Sequence, residues 1–243
     1  MGRATFRFYA ELNDFLPAER RAQDVVHEFV VPGSLKDAIE SFGVPHTEVD
    51  VVLVNGEPCG FDRVLADGDR VSVYPVFESF DVSSLVRVRP APLRETRFLL
   101  DAHLGRLARY LRMLGFDSAY DRGADDAALA RRSAAERRIL LTRDRGLLKR
   151  RDVTHGYSVR ETDPRRQLRE VVERFDLRGN LRPFTRCLRC NGPLRAAPKD
   201  EVAALLPPRV RELHNEFLRC DACGGTYWSG SHHSRMLGLI QNL

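Results

Sequence analysis

RFLLDAHLGRLARYLRMLG, Arg97 to Gly115, changes its periodicity at a single residue. Phe98, Leu99 and Leu100 form a short apolar run, as expected of a strand buried on both faces. Asp101 ends that run. Leu104, Leu107, Ala108, Leu111 and Leu114 then recur at helical spacing, with Arg106 and Arg109 on the opposite side. A carboxylate at the C-terminal end of a buried strand stands where open α/β sheets bind their ligands. Asp is equally a favoured helix N-cap, so the question is whether further acids follow other strands.

They do. Ser118–Tyr120 reads as a second strand ended by Asp121, and Asp125-Asp126 precede a helix from Ala127 to Arg138. Ile139–Thr142 is a third buried strand, followed by Arg143-Asp144 and a basic run through Arg151. Gly156–Arg160 reads as a fourth strand, and Thr162-Asp163-Pro164 opens a helix carrying Leu168, Val171, Val172 and Phe175 on one face. This alternation predicts an α/β domain: a mostly parallel sheet with right-handed crossovers and flanking helices. In such a sheet the C-terminal strand ends share one edge, which would gather Asp101, one or more of Asp121, Asp125 and Asp126, Asp144, and Asp163. Like charges that close raise one another's pKa unless a cation sits among them. Mg²⁺ or Mn²⁺ suits three or four carboxylates around an open position and can activate water beside a phosphodiester. Helix capping is the competing account for each acid.

Four of the five cysteines form two C-x-x-C pairs, Cys187/Cys190 and Cys220/Cys223, separated by 29 residues. That pattern predicts a closed, structural Zn²⁺ site of four thiolates. Between the pairs, Lys199–Leu206 and Pro208–Phe217 read as helices. Beyond them, Thr226-Tyr227-Trp228 leads to Ser231-His232-His233-Ser234-Arg235-Met236 and a final amphipathic helix. Trp228, His232 and Arg235 are candidates for contacts to a base and a phosphate of RNA, by stacking and charge. Trp228 is expected to pack the ribbon onto the preceding domain, and capping of the last helix is the alternative role of His232.

The first third of the chain is different. Residues 1–81 carry a net charge of −8 and the remainder +13, within a total of +5. A polyanion would therefore meet the second part, where Arg106, Arg109, Arg143 and Lys149 are the candidate backbone contacts. Thr5–Tyr9 and Val25–Val31 read as strands, and Ser34 caps a helix through Phe42. Asp50–Val54 ends at Asn55-Gly56, a strong turn signal, and a strand from Arg70 to Val76 follows Asp67-Gly68-Asp69. No apolar run approaches the roughly 20 residues of a membrane span, and no signal-type apolar region follows the N-terminus, so a cytoplasmic protein is expected.

Two resemblances rest on these motifs. The order of elements at residues 1–81, with VNGEP and LADGDRVSVYPV, resembles the β-grasp, ubiquitin-like fold of the sulfur-carrier proteins. The Gly-Gly tail of those carriers is missing, so docking to a protein partner or regulation is expected instead of sulfur transfer. LDAHLGRLARYLRMLGFD, ILLTRD and the cysteine pairs resemble the Mut-seven C-terminal RNase family. That resemblance implies a PIN-like nuclease domain at 97–180 after a linker at 82–96, with a zinc ribbon and helix at 181–243. It also implies a metal-dependent ribonuclease acting on RNA, with Asp101, Asp126 and Asp144 at the acidic positions and Glu136 as a candidate acid on the second helix. The rival expectation is a non-catalytic RNA- or protein-binding module built on the ribbon and the basic surface.

Overall fold

The structure, a computed structural model, describes residues 1–75 and 96–243. The expected linker at 82–96, apart from Thr96, and the last residue of the expected strand at 70–76 lie outside the described residues. The N-terminal elements are β1 (Gly2–Phe8), β2 (Asp24–Phe29), α1 (Leu35–Ser41), β3 (Val49–Val54), β4 (Glu57–Pro58) and β5 (Arg70–Pro75). There follow β6 (Arg97–Leu100), α2 (Gly105–Met113), β7 (Asp117–Tyr120), α3 (Asp126–Ala135), β8 (Ile139–Thr142), α4 (Arg145–Leu148), β9 (Gly156–Ser158) and α5 (Pro164–Arg174). The C-terminal part holds β10 (Arg195–Ala197), α6 (Lys199–Val202), α7 (Pro208–Leu213), β11 (Phe217–Arg219), β12 (Thr226–Trp228) and α8 (Ser231–Gln241). None of the described helices is long and apolar enough to cross a membrane. Contacts divide the chain into two compact units, Met1–Glu95 with Ala124–Ser158 and Thr96–Gly123 with Val159–Leu243.

In the first unit a mixed sheet of order β2-β1-β5-β3-β4 carries α1 against one face. β1 and β5 are parallel and the other pairs antiparallel, which is the β-grasp arrangement. The helix starts where the sequence places it, because the Ser34 hydroxyl accepts from Asp37 N and donates back to the Asp37 carboxylate. Leu35, Ala38 and Ile39 then bury against Phe6, Phe8 and Val52. The Asp67-Gly68-Asp69 turn does more than reverse the chain. Asp67 accepts from Arg3 N, while the buried Asp69 carboxylate accepts from Ala66 N, the Asn55 amide and both-oxygen contacts of Arg63.

Residues 124–158 add the parallel pair β8–β9 with Leu140 in register with Gly156. Leu140, Leu141, Leu147, Leu148 and Tyr157 are buried. α3 stops at Ala135, earlier than expected, because Arg137 adopts a left-handed φ of 50°. Side chains explain why this segment groups with the N-terminal domain. The Arg145 guanidinium donates to the Asp14 and Phe15 carbonyls and lies 4.7 Å from the centre of the Phe15 ring. The Lys149 amine donates to the Glu40 carbonyl at 2.7 Å, and the His46 ring bridges the Glu40 carboxylate and the Val153 carbonyl. Glu48 accepts from Ser158 N on β9.

In the second unit β6 and β7 are parallel, with Leu100 opposite Tyr120. Leu104, Leu107 and Leu111 of the α2 segment bury together with Leu168, Val171 and Val172 of α5, and Phe98 meets Phe116 and Phe175 edge to face. Fully burying each such Leu contributes roughly 1.5–3 kcal/mol. Gly115 turns the chain after α2 at φ 97°, where a Cβ would lie 2.1 Å from the Arg182 carbonyl oxygen, so only glycine fits. The ribbon that follows is a three-stranded antiparallel sheet of order β10-β11-β12. Here the expected helix at 208–217 is corrected. It ends at Leu213, His214 is extended, and Phe217 begins β11.

Asp69 yields a test. Burial works to raise its pKa, but the Ala66 amide, the Asn55 side chain and the Arg63 guanidinium outweigh it, and the carboxyl is held below its usual range. Its contribution is therefore full above the unfolded value near 3.9 and is lost as pH falls through the depressed folded value. Asp69→Asn should lower stability by about 2 kcal/mol at neutral pH and flatten the acid limb of a stability–pH curve. An unchanged curve would contradict the account.

Candidate functional site

The four cysteines form a group of metal-ligating side chains whose donor atoms are close enough to share an ion. All four sulfurs lie within 4.8 Å of one another, with Cys187–Cys223 at 3.5 Å and Cys190–Cys220 at 3.4 Å. Tetrahedral zinc with Zn–S bonds of about 2.3 Å needs sulfurs roughly 3.8 Å apart, whereas a disulfide needs about 2.05 Å. The donor set therefore fits Zn²⁺, and a zinc held by all four thiolates would have no ligand position open. Burial opposes ionisation of Cys187, yet the Tyr227 hydroxyl and the amides of Cys190 and Arg189 bring its thiol down to about 6. Burial first, then its sulfur neighbours, pushes Cys190 up to about 12.

The knuckle is tied to the strand–helix segment beside it. Arg112, on α2, is 5% exposed. Its guanidinium donates to the Ser118 carbonyl at the start of β7 and to the Leu188 and Arg189 carbonyls inside the first C-x-x-C turn. Asn191, just past Cys190, donates to Asp117 and accepts from Ser118 N. Arg186 completes the joint with an ion pair to Asp117 at 3.6 Å.

The aspartates all stand at helix starts or strand ends. In the second unit, Asp101 directly follows β6, is 8% exposed, and accepts from His103 N. Asp121 directly follows β7. Since Leu100 and Tyr120 are in register, Asp101 and Asp121 continue the same end of a parallel pair. The sequence signal for Asp121 is the same as for Asp101, an acid directly after an apolar strand. Asp163 caps α5, its Oδ1 accepting from Arg165 N and Arg166 N. In the first unit, Asp125 is the cap of α3 and Asp126 its exposed first residue. Asp144 follows β8 and caps α4, with Oδ1 accepting from Gly146 N and Leu147 N. Glu136 sits at the end of α3 between the guanidinium groups of Arg132 and Arg138, which hold its pKa down against burial, an ion-pair role.

Of the cations, Arg106 and Arg109 are exposed on α2 and Arg143 is exposed beside Asp144. Lys149 is engaged with the Glu40 carbonyl. His232 and Arg235 lie exposed on α8. The capping role considered for His232 is corrected, since the cap is Gly230 and no side chain caps the helix. Trp228 packs on the ribbon's own small core of Ala197, Val202, Leu206 and Phe217.

Residues 96–240 match the family described as Mut7-C RNAse domain, and residues 1–81 match the family described as Mut7-C ubiquitin. Crystal structures of small archaeal modifier protein 1 from Haloferax volcanii match at 18% and 19% identity, each covering 32% of this chain and 100% of the modifier, with a TM-score of 0.26. No curated protein matches the chain.

The purified chain should carry about one zinc ion, released by a strong chelator and measurable by mass spectrometry. Cys220→Ser should lower stability by roughly 3 kcal/mol or more. A chain that binds no zinc, or melts alike with and without it, would contradict the assignment.

Proposed function

Because this chain belongs to the Mut7-C RNAse domain family, we propose that it is a ribonuclease hydrolysing single-stranded RNA at a site where Asp101, Asp126 and Asp144 hold Mg²⁺ or Mn²⁺. The match over residues 96–240 carries the assignment, because it spans every one of these acids. When bound, such a cation supplies Lewis acidity for a water nucleophile and offsets charge on the phosphodiester.

The local geometry supports the roles of the individual side chains. Two amides fix one oxygen of Asp144, so the carboxylate is oriented before any ligand arrives, while Oδ2 accepts no hydrogen bond. Asp126 is the exposed first residue of α3, and among the described residues no hydrogen-bond donor meets its carboxylate. Asp163, with Oδ1 likewise pinned, is the fourth acid of the proposal, and Asp121 competes with Asp126 for the third position. Arg106, Arg109 and Arg143 attract the RNA backbone. The observed caps favour one rival, a module that binds RNA without cutting it and uses its aspartates only to start helices.

We read the N-terminal domain as a regulatory element, docked through His46, Glu48 and the carbonyls of Asp14, Phe15 and Glu40. Lys149 and Arg145 would otherwise be available to phosphates, and this domain engages both. Its exposed Val26, Val30 and Val31, on and after the edge strand β2, suit a protein partner.

The purified chain with Mn²⁺ should cut single-stranded RNA. Asp144→Asn should reduce the rate about 100-fold or more without lowering the melting temperature, since Asn caps helices as well as Asp does. Binding without cleavage, or an Asn variant as active as the parent, would favour the rival. The double variant His46→Ala, Glu48→Ala should bind RNA several-fold more tightly as Lys149 and Arg145 come free, and unchanged affinity would remove the regulatory reading.

A further inference from the structure

The ribbon contains a cavity of about 610 Å³ bounded by its three strands, the first knuckle loop and α8. That size lies within the roughly 300–1,000 Å³ of small-molecule pockets. Its walls carry Phe184, Tyr227, Trp228 and His233. The His233 ring leans on Phe184 with 4.4 Å between centroids. Tyr227 spends its hydroxyl on the Cys187 sulfur at 3.1 Å, so it offers the cavity a ring face. Successive aromatic rings of this kind are what unstacked bases lie against.

The rim adds the polar groups that a base edge requires. Asn215 and Glu216 stand side by side on it. The Asn215 carbonyl oxygen is taken by the Lys199 amine, which leaves its amide N–H groups to donate, and Glu216 supplies an acceptor next to them. A donor and an acceptor on adjacent residues match the edge of an unpaired base. An apolar peptide would leave both unsatisfied.

The start of α8 lies beside the cavity, whose lining includes Ser229. α8 begins after Gly230 with no capping side chain, so the amides of its first turn are free of one, and such amides favour an anion. A Cβ on Gly230 would lie 3.0 Å from the Trp228 indole nitrogen. Glycine at this position therefore lets the aromatic wall and the helix start lie together. Exposed His232 and Arg235 lie near the start of that helix, and exposed Arg189 lies within the first C-x-x-C turn.

We propose that this cavity is a nucleotide pocket. It takes one unpaired base of a single-stranded RNA between the Trp228 and His233 walls and seats the adjoining phosphate at the start of α8. The choice of RNA rests on the ribonuclease reading; the pocket itself is a feature of the ribbon.

Trp228 is the only tryptophan of the chain, so its fluorescence reports on this cavity alone. Eight-nucleotide oligo(A) and oligo(U), titrated into the full zinc-loaded chain without added Mg²⁺ or Mn²⁺, should quench it saturably. His233→Ala and Arg235→Ala should each weaken binding about tenfold, and Ala196→Phe, which fills the cavity, should abolish quenching at an unchanged melting temperature. Binding that leaves Trp228 silent, or affinity unmoved in His233→Ala and Ala196→Phe alike, would overturn the pocket, as would quenching by an apolar peptide but not by RNA. Cleavage with Mn²⁺ is scored separately. A chain that cuts RNA with Trp228 silent loses only the pocket, and one that quenches but never cuts loses only the nuclease reading.

Discussion

The second unit depends on one buried guanidinium. Arg112 leaves α2, passes β7 and ends among the carbonyls of the first cysteine turn. Burial lowers its pKa, and the sulfurs of Cys187 and Cys190 work in the other direction. Four thiolates around a divalent ion would amount to a net dianion, so a zinc ion held there and Arg112 would be each other's counter-charge. Neither is tolerable alone in the interior, because an unpaired buried charge costs several kcal/mol. The first helix after Asp101 and the cysteine knuckle thus form one electrostatic object, although 76 residues separate Arg112 from Leu188.

Much of this was legible in the sequence because it rests on local rules. The switch from an apolar run to helical spacing at Asp101 marks β6 and α2, and the Ser34 cap marks α1. The two C-x-x-C pairs announce the sulfur cluster before any coordinates exist. What escaped is short or nonlocal. β10, β11 and β12 have three residues each, too few for an alternation to register, and tertiary packing turned Phe217 from a helix end into a strand start. α4 has four residues and hides within a basic run. The early end of α3 depends on a left-handed arginine, which no propensity scale anticipates. That Asp101 and Asp121 follow the same end of a parallel pair is likewise invisible until the partner strands are known.

The acids illustrate a limit of choosing between capping and chemistry. A cap occupies one oxygen of a carboxylate and fixes its plane. For Asp144 and Asp163 both amides converge on Oδ1, so capping orients the group and leaves the second oxygen accessible. The two accounts compete in a sequence but coexist in a side chain.

The contact between Glu48 and Ser158 N bears on something other than regulation. β9 pairs with β8 on one side, and on the other its Ser158 amide is satisfied by a carboxylate from the neighbouring fold. An uncovered strand margin recruits strands from other molecules, and natural proteins cover such margins or charge them. The β-grasp domain thereby covers part of that margin. A chain trimmed of it would present fresh main-chain donors to its own copies and risk clumping before any nucleic acid reached it.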